Sequence, residues 1–400
     1  MVLFPWREPP LRLSPGSPLP ENSLLGLISW SANRIVNTSS WPVWSTRLKS
    51  FGRRHIILTI VAILWHGVIA SIHAATPVEA STHAVERASE LFKAGDADGA
   101  IATLNRATEL NPSSAETYHL LGRIYFQGKK KSREAATALA QAIKLKPAYP
   151  EALNDLAEVY VAQGKSAEAE QALKRAIEID PKQEDSYVDL AKLYEGRHDI
   201  PAAMKAYQAL LTFRPASSDA LFGLAMLYEG QGENEAARDM LGRLTKSNPK
   251  HADAWYQVGR LAERENELLE AAYAYKQAIA SKPDLVDAHY NLGFILRSQG
   301  KPNEAEREFL EVIRYRPEYA EAHMNLGVVY TSVNKLEDAE REYEKAVALK
   351  PDYAEAHYNL GVFYELHRKD MARALAQYHK YRNLGGRDDR VERIIGSSGR

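Results

Sequence analysis

The chain of 400 residues carries 51 Lys plus Arg against 52 Asp plus Glu, so no net field draws it onto nucleic acid. With 45% apolar and 26% charged residues it has the mix of a soluble protein with a buried core, which excludes disorder over most of its length. It has no cysteine, which excludes disulfides, thiolate zinc sites, cysteine nucleophiles, iron–sulfur clusters and a lipidated cysteine.

Residues 1–50 are rich in proline (Pro5, Pro9, Pro10, Pro15, Pro18, Pro20, Pro42) and tryptophan (Trp6, Trp30, Trp41, Trp44), with no sustained period. They read either as a disordered leader or as residues ahead of a translation start near Leu48. Residues 51–75 form a second segment. Arg47, Lys49, Arg53 and Arg54 precede the apolar run from Ile56 to Trp65, and small residues follow at Ala70, Ala74 and Ala75. That is the layout of a signal peptide. Left uncleaved, residues 56–72 are just long enough to serve as a membrane anchor, weakened by His66 and Gly67. The basic flank keeps the N-terminus in the cytoplasm in either case. The rest of the chain is then expected outside the cytoplasm, periplasmic or secreted, or tethered through residues 56–72. A buried helix with no export role is the third reading.

From residue 76 to 384 the chain repeats itself. Prolines recur at Pro112, Pro147, Pro181, Pro215, Pro249, Pro283, Pro317 and Pro351, the first interval being 35 and all later ones 34. The blocks run 81–114, 115–149, 150–183, 184–217, 218–251, 252–285, 286–319, 320–353 and 354–384. With the proline as position 32, position 8 is Gly or Ala (Gly122, Ala157, Ala191, Ala225, Gly259, Gly293, Gly327, Gly361). Position 20 is Ala in every block, and the second and ninth blocks each hold one inserted residue. Positions 4, 7, 8 and 11 share one face of a first helix, and 20, 24 and 27 one face of a second. Small residues at 8 and 20 let the two backbones approach, and the proline stops the second helix. The expected fold is all-α: about nine helical hairpins stacked as a solenoid, because one hairpin cannot bury both its faces. The first block, with Ala84 and Arg87 at positions 4 and 7, reads as an end cap. Gly385 and Gly386 end the last hairpin, and residues 385–400 are expected to supply a short capping helix and a tail.

Leu326-Gly327, Tyr330, Ala339, Tyr343 and Pro351, and likewise Trp255 with Val258-Gly259, resemble the W-x2-L-G-x2-Y…A-x3-F…P pattern of the tetratricopeptide repeat family. The resemblance covers residues 81 to about 384. It implies a right-handed α-α superhelix that binds other proteins or extended peptides and needs no cofactor, metal or catalytic residue.

Several motifs read as structure rather than chemistry. Gly164-Lys165-Ser166 lacks the earlier glycine and preceding strand of a phosphate loop and is read as the turn at position 15. His289, His323 and His357 recur at position 4, where copies in successive repeats stand about 8–10 Å apart, too far to share a metal. Lys129, Lys130 and Lys131 read as the solvated turn that holds the second block's extra residue.

In the family's fold, positions 2, 5, 6, 9, 12 and 13 of the first helix line the concave groove. Position 6 includes Gln257, Asn291, Asn325 and Asn359, and the three asparagines resemble the ladder in the repeat region of O-linked N-acetylglucosamine transferases. There such side chains hold a peptide backbone, which an amide does irrespective of sequence. The same letters are also the commonest wording of the repeat, and both readings stand at this stage. The catalytic half of those transferases is absent. Positions 5 and 9 supply an apolar strip of Tyr256, Tyr290, Phe294, Met324, Val328, Tyr358 and Val362. The asparagines are expected to face solvent in the free protein. The function expected is that of an adaptor gripping extended segments. The alternative is a structural subunit of an envelope, secretion or polysaccharide-export assembly that docks through its convex face. Membrane contact is expected only through an uncleaved N-terminal segment.

Overall fold

The computed structural model describes residues 77–398, and all regular structure among them is helical. The leader at 1–50 and the signal or anchor segment at 51–75 lie outside the described residues. The first four hairpins pair α1 (Pro77–Lys93) with α2 (Ala97–Leu110), α3 (Ala115–Arg123) with α4 (Ser132–Leu145), α5 (Pro150–Ala162) with α6 (Ser166–Ile179), and α7 (Glu184–Gly196) with α8 (Ile200–Phe213). Next come α9 (Ser218–Gly230) with α10 (Asn234–Ser247), α11 (Ala252–Arg264) with α12 (Leu268–Ser281), and α13 (Val286–Ser298) with α14 (Pro302–Tyr315). The array ends with α15 (Ala320–Ser332) and α16 (Leu336–Leu349), α17 (Ala354–Phe363) and α18 (Met371–Asn383), and a final α19 (Asp389–Ser398). Each helix packs on its hairpin partner and on the hairpin that follows, which is the expected solenoid.

Each of the nine hairpin turns contains one residue in the left-handed region, at position 15: Gly95, Lys130, Gly164, His198, Gly232, Asn266, Gly300, Asn334 and Lys369. Gly164, at φ +72°, is therefore a turn residue, as read. The two inserted residues are absorbed one step earlier than the sequence suggests. Each widens the end of a first helix into a π turn, Ile124–Gly128 after α3 and Tyr364–Arg368 after α17. A π turn takes up one residue without breaking the backbone hydrogen-bond ladder.

Within a hairpin, a ring or leucine at position 24 of the second helix lies directly on position 8 of the first. A Cβ on Gly259 would stand 2.6 Å from the Tyr275 ring, on Gly327 2.7 Å from Tyr343, and on Gly361 2.6 Å from Tyr378. Side chains of any size are excluded there unless the ring moves. In block 184–217 position 8 is Ala191, and the Tyr207 ring lies against Gly223, position 6 of the next repeat, 2.4 Å from where a Cβ would be. The tyrosine hydroxyls then reach position 12: Tyr207 donates to Glu195 at 2.8 Å, Tyr275 to Glu263 at 2.7 Å and Tyr378 to Glu365 at 2.6 Å.

In five of the repeats position 4 carries a ring that ties the repeat to the one before it. Its ring donates a hydrogen bond to the carbonyl of the preceding position-32 proline: Tyr187 to Pro181 (3.2 Å), Trp255 to Pro249 (2.9 Å), and the Nε2 of His289, His323 and His357 to Pro283, Pro317 and Pro351 (3.0, 2.9 and 3.0 Å). The other ring nitrogen of those histidines meets Glu308, Glu342 or Gln377 at 2.6–2.7 Å. All three rings are buried, and both nitrogens of each have partners within the fold, in keeping with the packing role read from the sequence. At the C-terminal end, α19 buries Val391, and its Arg390 donates to Glu365 at 2.7 Å.

Burial pushes the His289 pKa down. The hydrogen bond to Glu308, the Pro283 carbonyl, and the charges of Glu308 and Glu311 outweigh that and raise it above 6.5. A raised histidine pKa favours the protonated form in the folded state. The added stability is complete below about pH 6.5 and fades as pH rises through the folded pKa. Chemical unfolding of the parent and of His289→Gln between pH 6 and 9 should show the parent's advantage shrinking with rising pH; an advantage that is flat across that range contradicts the assignment.

Candidate peptide groove

The first helices lie side by side, and their positions 3, 4, 7, 8, 10 and 11 turn toward the second helices. Positions 2, 5, 6, 9, 12 and 13, the expected inner face, are in the main less buried, although the position-5 rings also lie against position-24 rings, Tyr256 5.7 Å from Tyr275 and Tyr290 6.0 Å from Phe309. On it Phe294 is exposed, and Tyr256, Gln257, Tyr290, Asn291, Val328, Tyr358, Asn359 and Val362 are half-buried. Met324 and Asn325 are buried, at 2% and 1% exposure.

The asparagines do not all face solvent as expected. Adjacent first helices stack so closely that position 6 of one repeat meets position 5 of the repeat before. The Asn325 amide donates from Nδ2 to the Glu321 carbonyl at 2.8 Å and to the Tyr290 hydroxyl at 3.2 Å. Its Oδ1 is buried without a partner. Asn359 donates to the Met324 sulfur at 3.3 Å, and Asn291 to the Tyr275 hydroxyl at 3.1 Å. Gln257 accepts from Arg260 at 3.0 Å. The same seam recurs earlier in the chain, where Asp155 lies 2.6 Å from His119 Nε2 and Asp189 accepts from Asn154 at 2.8 Å. Position 6 is thus an inter-repeat link along much of the array, and of the three asparagines Asn291 and Asn359 retain exposure to a ligand while Asn325 does not.

Sequence reasoning also passed over the acidic character of this face. Position 2 is Asp or Glu in eight successive repeats: Glu116, Glu151, Asp185, Asp219, Asp253, Asp287, Glu321 and Glu355. Carboxylates in a first turn favour the helix dipole, so the period alone is a stability signal. Burial raises the Asp189 carboxyl despite the Asn154 hydrogen bond. Burial also raises Glu158, helped by the charges of Asp155 and Asp189. At the other end of the face burial pushes the Tyr290 hydroxyl up to about 12, with Tyr319 and Glu321 adding to it. Among the described residues no group of three His, Asp or Glu side chains is arranged to hold a metal ion.

Tetratricopeptide repeat family models match residues 128–193, 188–239, 224–286 and 274–307, and a further TPR repeat model matches residues 88–128 and 329–367. No curated protein matches the chain at a significant level. Solved structures with similar folds include PilF of Pseudomonas aeruginosa, at 19% identity over 52% of this chain and 95% of that one, with a TM-score of 0.46. They also include YrrB, described as a TPR protein with an unusual peptide-binding site, at 23% identity over 47% and 96%, with a TM-score of 0.43. MamA from Desulfovibrio magneticus RS-1 matches at 21% identity over 42% and 94%, with a TM-score of 0.40.

The seam makes opposite demands on two residues of the same type. Asn325→Ala removes two hydrogen bonds at a buried position, which should cost about 1–3 kcal/mol of stability. Asn359→Ala loses one weak bond to sulfur at a half-exposed position and should cost less than about 1 kcal/mol. Urea unfolding of the two variants checks this, and equal losses would contradict the placement.

Proposed function

Because the chain belongs to the tetratricopeptide repeat family, we propose that it is a non-catalytic scaffold that holds extended segments of partner proteins along its inner face, outside the cytoplasm. The observation that carries the reading is the strip of Tyr290, Phe294, Val328, Tyr358 and Val362. It repeats once per hairpin and is left half-exposed or exposed, with Tyr290 and Tyr358 resting on the second-helix rings of Phe309 and Tyr378. An extended strand offers a side chain to such a surface every 3.3 Å, so spacing of about 8–10 Å between first helices addresses every third residue. Asn291 and Asn359 then supply amides for the ligand backbone, a narrower set than the sequence suggested. The titratable groups at positions 4 and 6 are engaged in inter-repeat bonds, which argues for binding rather than catalysis. The location rests on the basic flank and apolar run of residues 47–65. A reporter fused after residue 80 should be active outside the cytoplasm; activity confined to the cytoplasm removes that part of the proposal.

A second reading has its own observation. On the outer side, Leu269 is 80% and Tyr273 55% exposed, one turn apart on α12, with Trp255 edge-on to the Tyr273 ring at 5.8 Å. That patch suits a structural subunit docking through its outer surface. Peptides selected from a random display library on the full chain separate the two. Replacing Phe294, Val328 and Val362 by Ala should weaken the selected peptides about ten-fold or more, since three apolar contacts are lost. Leu269→Ala with Tyr273→Ala should leave them unchanged; the reverse pattern favours the outer surface.

A further inference from the structure

The two halves of the inner face differ in chemistry. Over α13, α15 and α17 positions 5 and 9 are apolar, and of the three position-2 carboxylates those of α13 and α15 are paired with the chain's own cations, while Glu355 of α17 is exposed without an ion-pair partner among the described residues. Asp287 lies 3.7 Å from Arg316, and Glu321 2.8 Å from Lys350. Over α5, α7 and α9 the corresponding Glu151, Asp185 and Asp219 are exposed and have no ion-pair partner among the described residues. Glu158, at position 9 of α5, is exposed and equally without one. Asp155 and Asp189 lie beside it at position 6, and the facing basic groups are Arg123 and His119, 3.6 and 2.6 Å from Asp155, with Lys130 and Lys192. Burial first, and after it the charges of Asp155 and Asp189, raise the Glu158 carboxyl above its ordinary range against the pull of Lys130 and Arg123.

We propose that the groove is bipartite and selects an extended segment of a partner protein with two separate stretches, a cationic one seated over α5–α9 and an apolar one over α13–α17. This rests on the inner face being the binding site. The apolar strip supplies the contact area, and the unneutralised carboxylates supply the charge that a lysine- or arginine-bearing stretch completes. From α7 to α15 is four repeats, about 32–40 Å at 8–10 Å each, or about 10–12 residues of extended chain between the centres of the two stretches. Within each stretch the matching side chains recur every third residue. Charge at this distance steers encounter as well as holding the complex, so the selectivity is greatest at low ionic strength.

The test uses the full chain and three fluorescein-labelled synthetic 24-residue peptides. One has lysine at every third position of one half and leucine at every third position of the other, with Ser and Gly elsewhere. The second has glutamine in place of every lysine. The third keeps the lysines and replaces every leucine by serine. Each is made in both chain directions, and binding is read by fluorescence anisotropy at 50 mM and 500 mM NaCl. The lysine–leucine peptide should bind more tightly than either of the others. Neutralising Glu151→Gln, Glu158→Gln and Asp185→Asn together should weaken it about 3- to 100-fold at 50 mM salt, and little at 500 mM. These three side chains are exposed and make no side-chain hydrogen bond among the described residues, and an unchanged helical circular dichroism melt confirms that the variant is intact. The same variant should bind the glutamine peptide as the parent does. If the lysine and glutamine peptides bind alike, and both are lost on Phe294→Ala with Val328→Ala, the groove stands and bipartite selection is overturned. If the alanine variant leaves every peptide unaffected, the groove reading itself fails and the inference with it.

Discussion

The close approach of two helices inside each hairpin is the constraint from which the rest follows. At position 8 the first helix offers only hydrogen or methyl, and the position-24 side chain of the second helix fills the space directly above it. That contact brings the helix axes near enough for a tyrosine hydroxyl on the second helix to reach a carboxylate at position 12 of the first, as in Tyr275 with Glu263 and Tyr378 with Glu365. The Tyr207 ring makes the same position-12 contact, with Glu195, and also fills the space over Gly223 at position 6 of the next repeat.

Stacking of hairpins depends on two further contacts that leave the inner face partly committed. A ring at position 4 anchors five of the repeats to the proline carbonyl of the predecessor, and position 6 meets position 5 across the seam between first helices. A side chain at position 6 thus serves stability and recognition at once. At Asn325 stability has taken the whole amide nitrogen, while Asn291 and Asn359 remain half-exposed. The groove's discriminating chemistry accordingly falls to positions 2 and 9, whose side chains stand clear of the seam. Position 2 is acidic in both halves, unpaired among the described residues at Glu151, Asp185 and Asp219 but paired at Asp287 and Glu321, and position 9 becomes apolar at Phe294, Val328 and Val362.

Most of the fold was legible in the sequence because the repeat prints its geometry nine times. Proline spacing located the ends of the second helices, Gly or Ala at 8 and 20 located the close approach, and Gly164 and Gly300 located the turns. The two π turns were not legible, since a single inserted residue can widen a helix end or lengthen a turn and composition does not distinguish them. The inner face was readable as a set of positions, so Phe294, Val328 and Val362 were found. The burial of Met324 and Asn325 was not, because it depends on how near one first helix lies to the next, a distance that no single repeat encodes. The periodic acid at position 2 was visible throughout. Its meaning emerged only when some of its members proved to be paired and others not.

The central claim, that the position-8 to position-24 contact sets the hairpin, is tested most directly by a double-mutant cycle on Gly327 and Tyr343. The four proteins are the parent, Gly327→Val, Tyr343→Ala and the double variant, each unfolded in urea. If the ring and the absent side chain share one space, valine should cost about 1–3 kcal/mol in the parent and clearly less in the Tyr343→Ala background, a coupling of about 1 kcal/mol or more. Additive losses, with valine equally damaging whether or not the ring is there, would show that position 8 is small for some other reason and would contradict the claim.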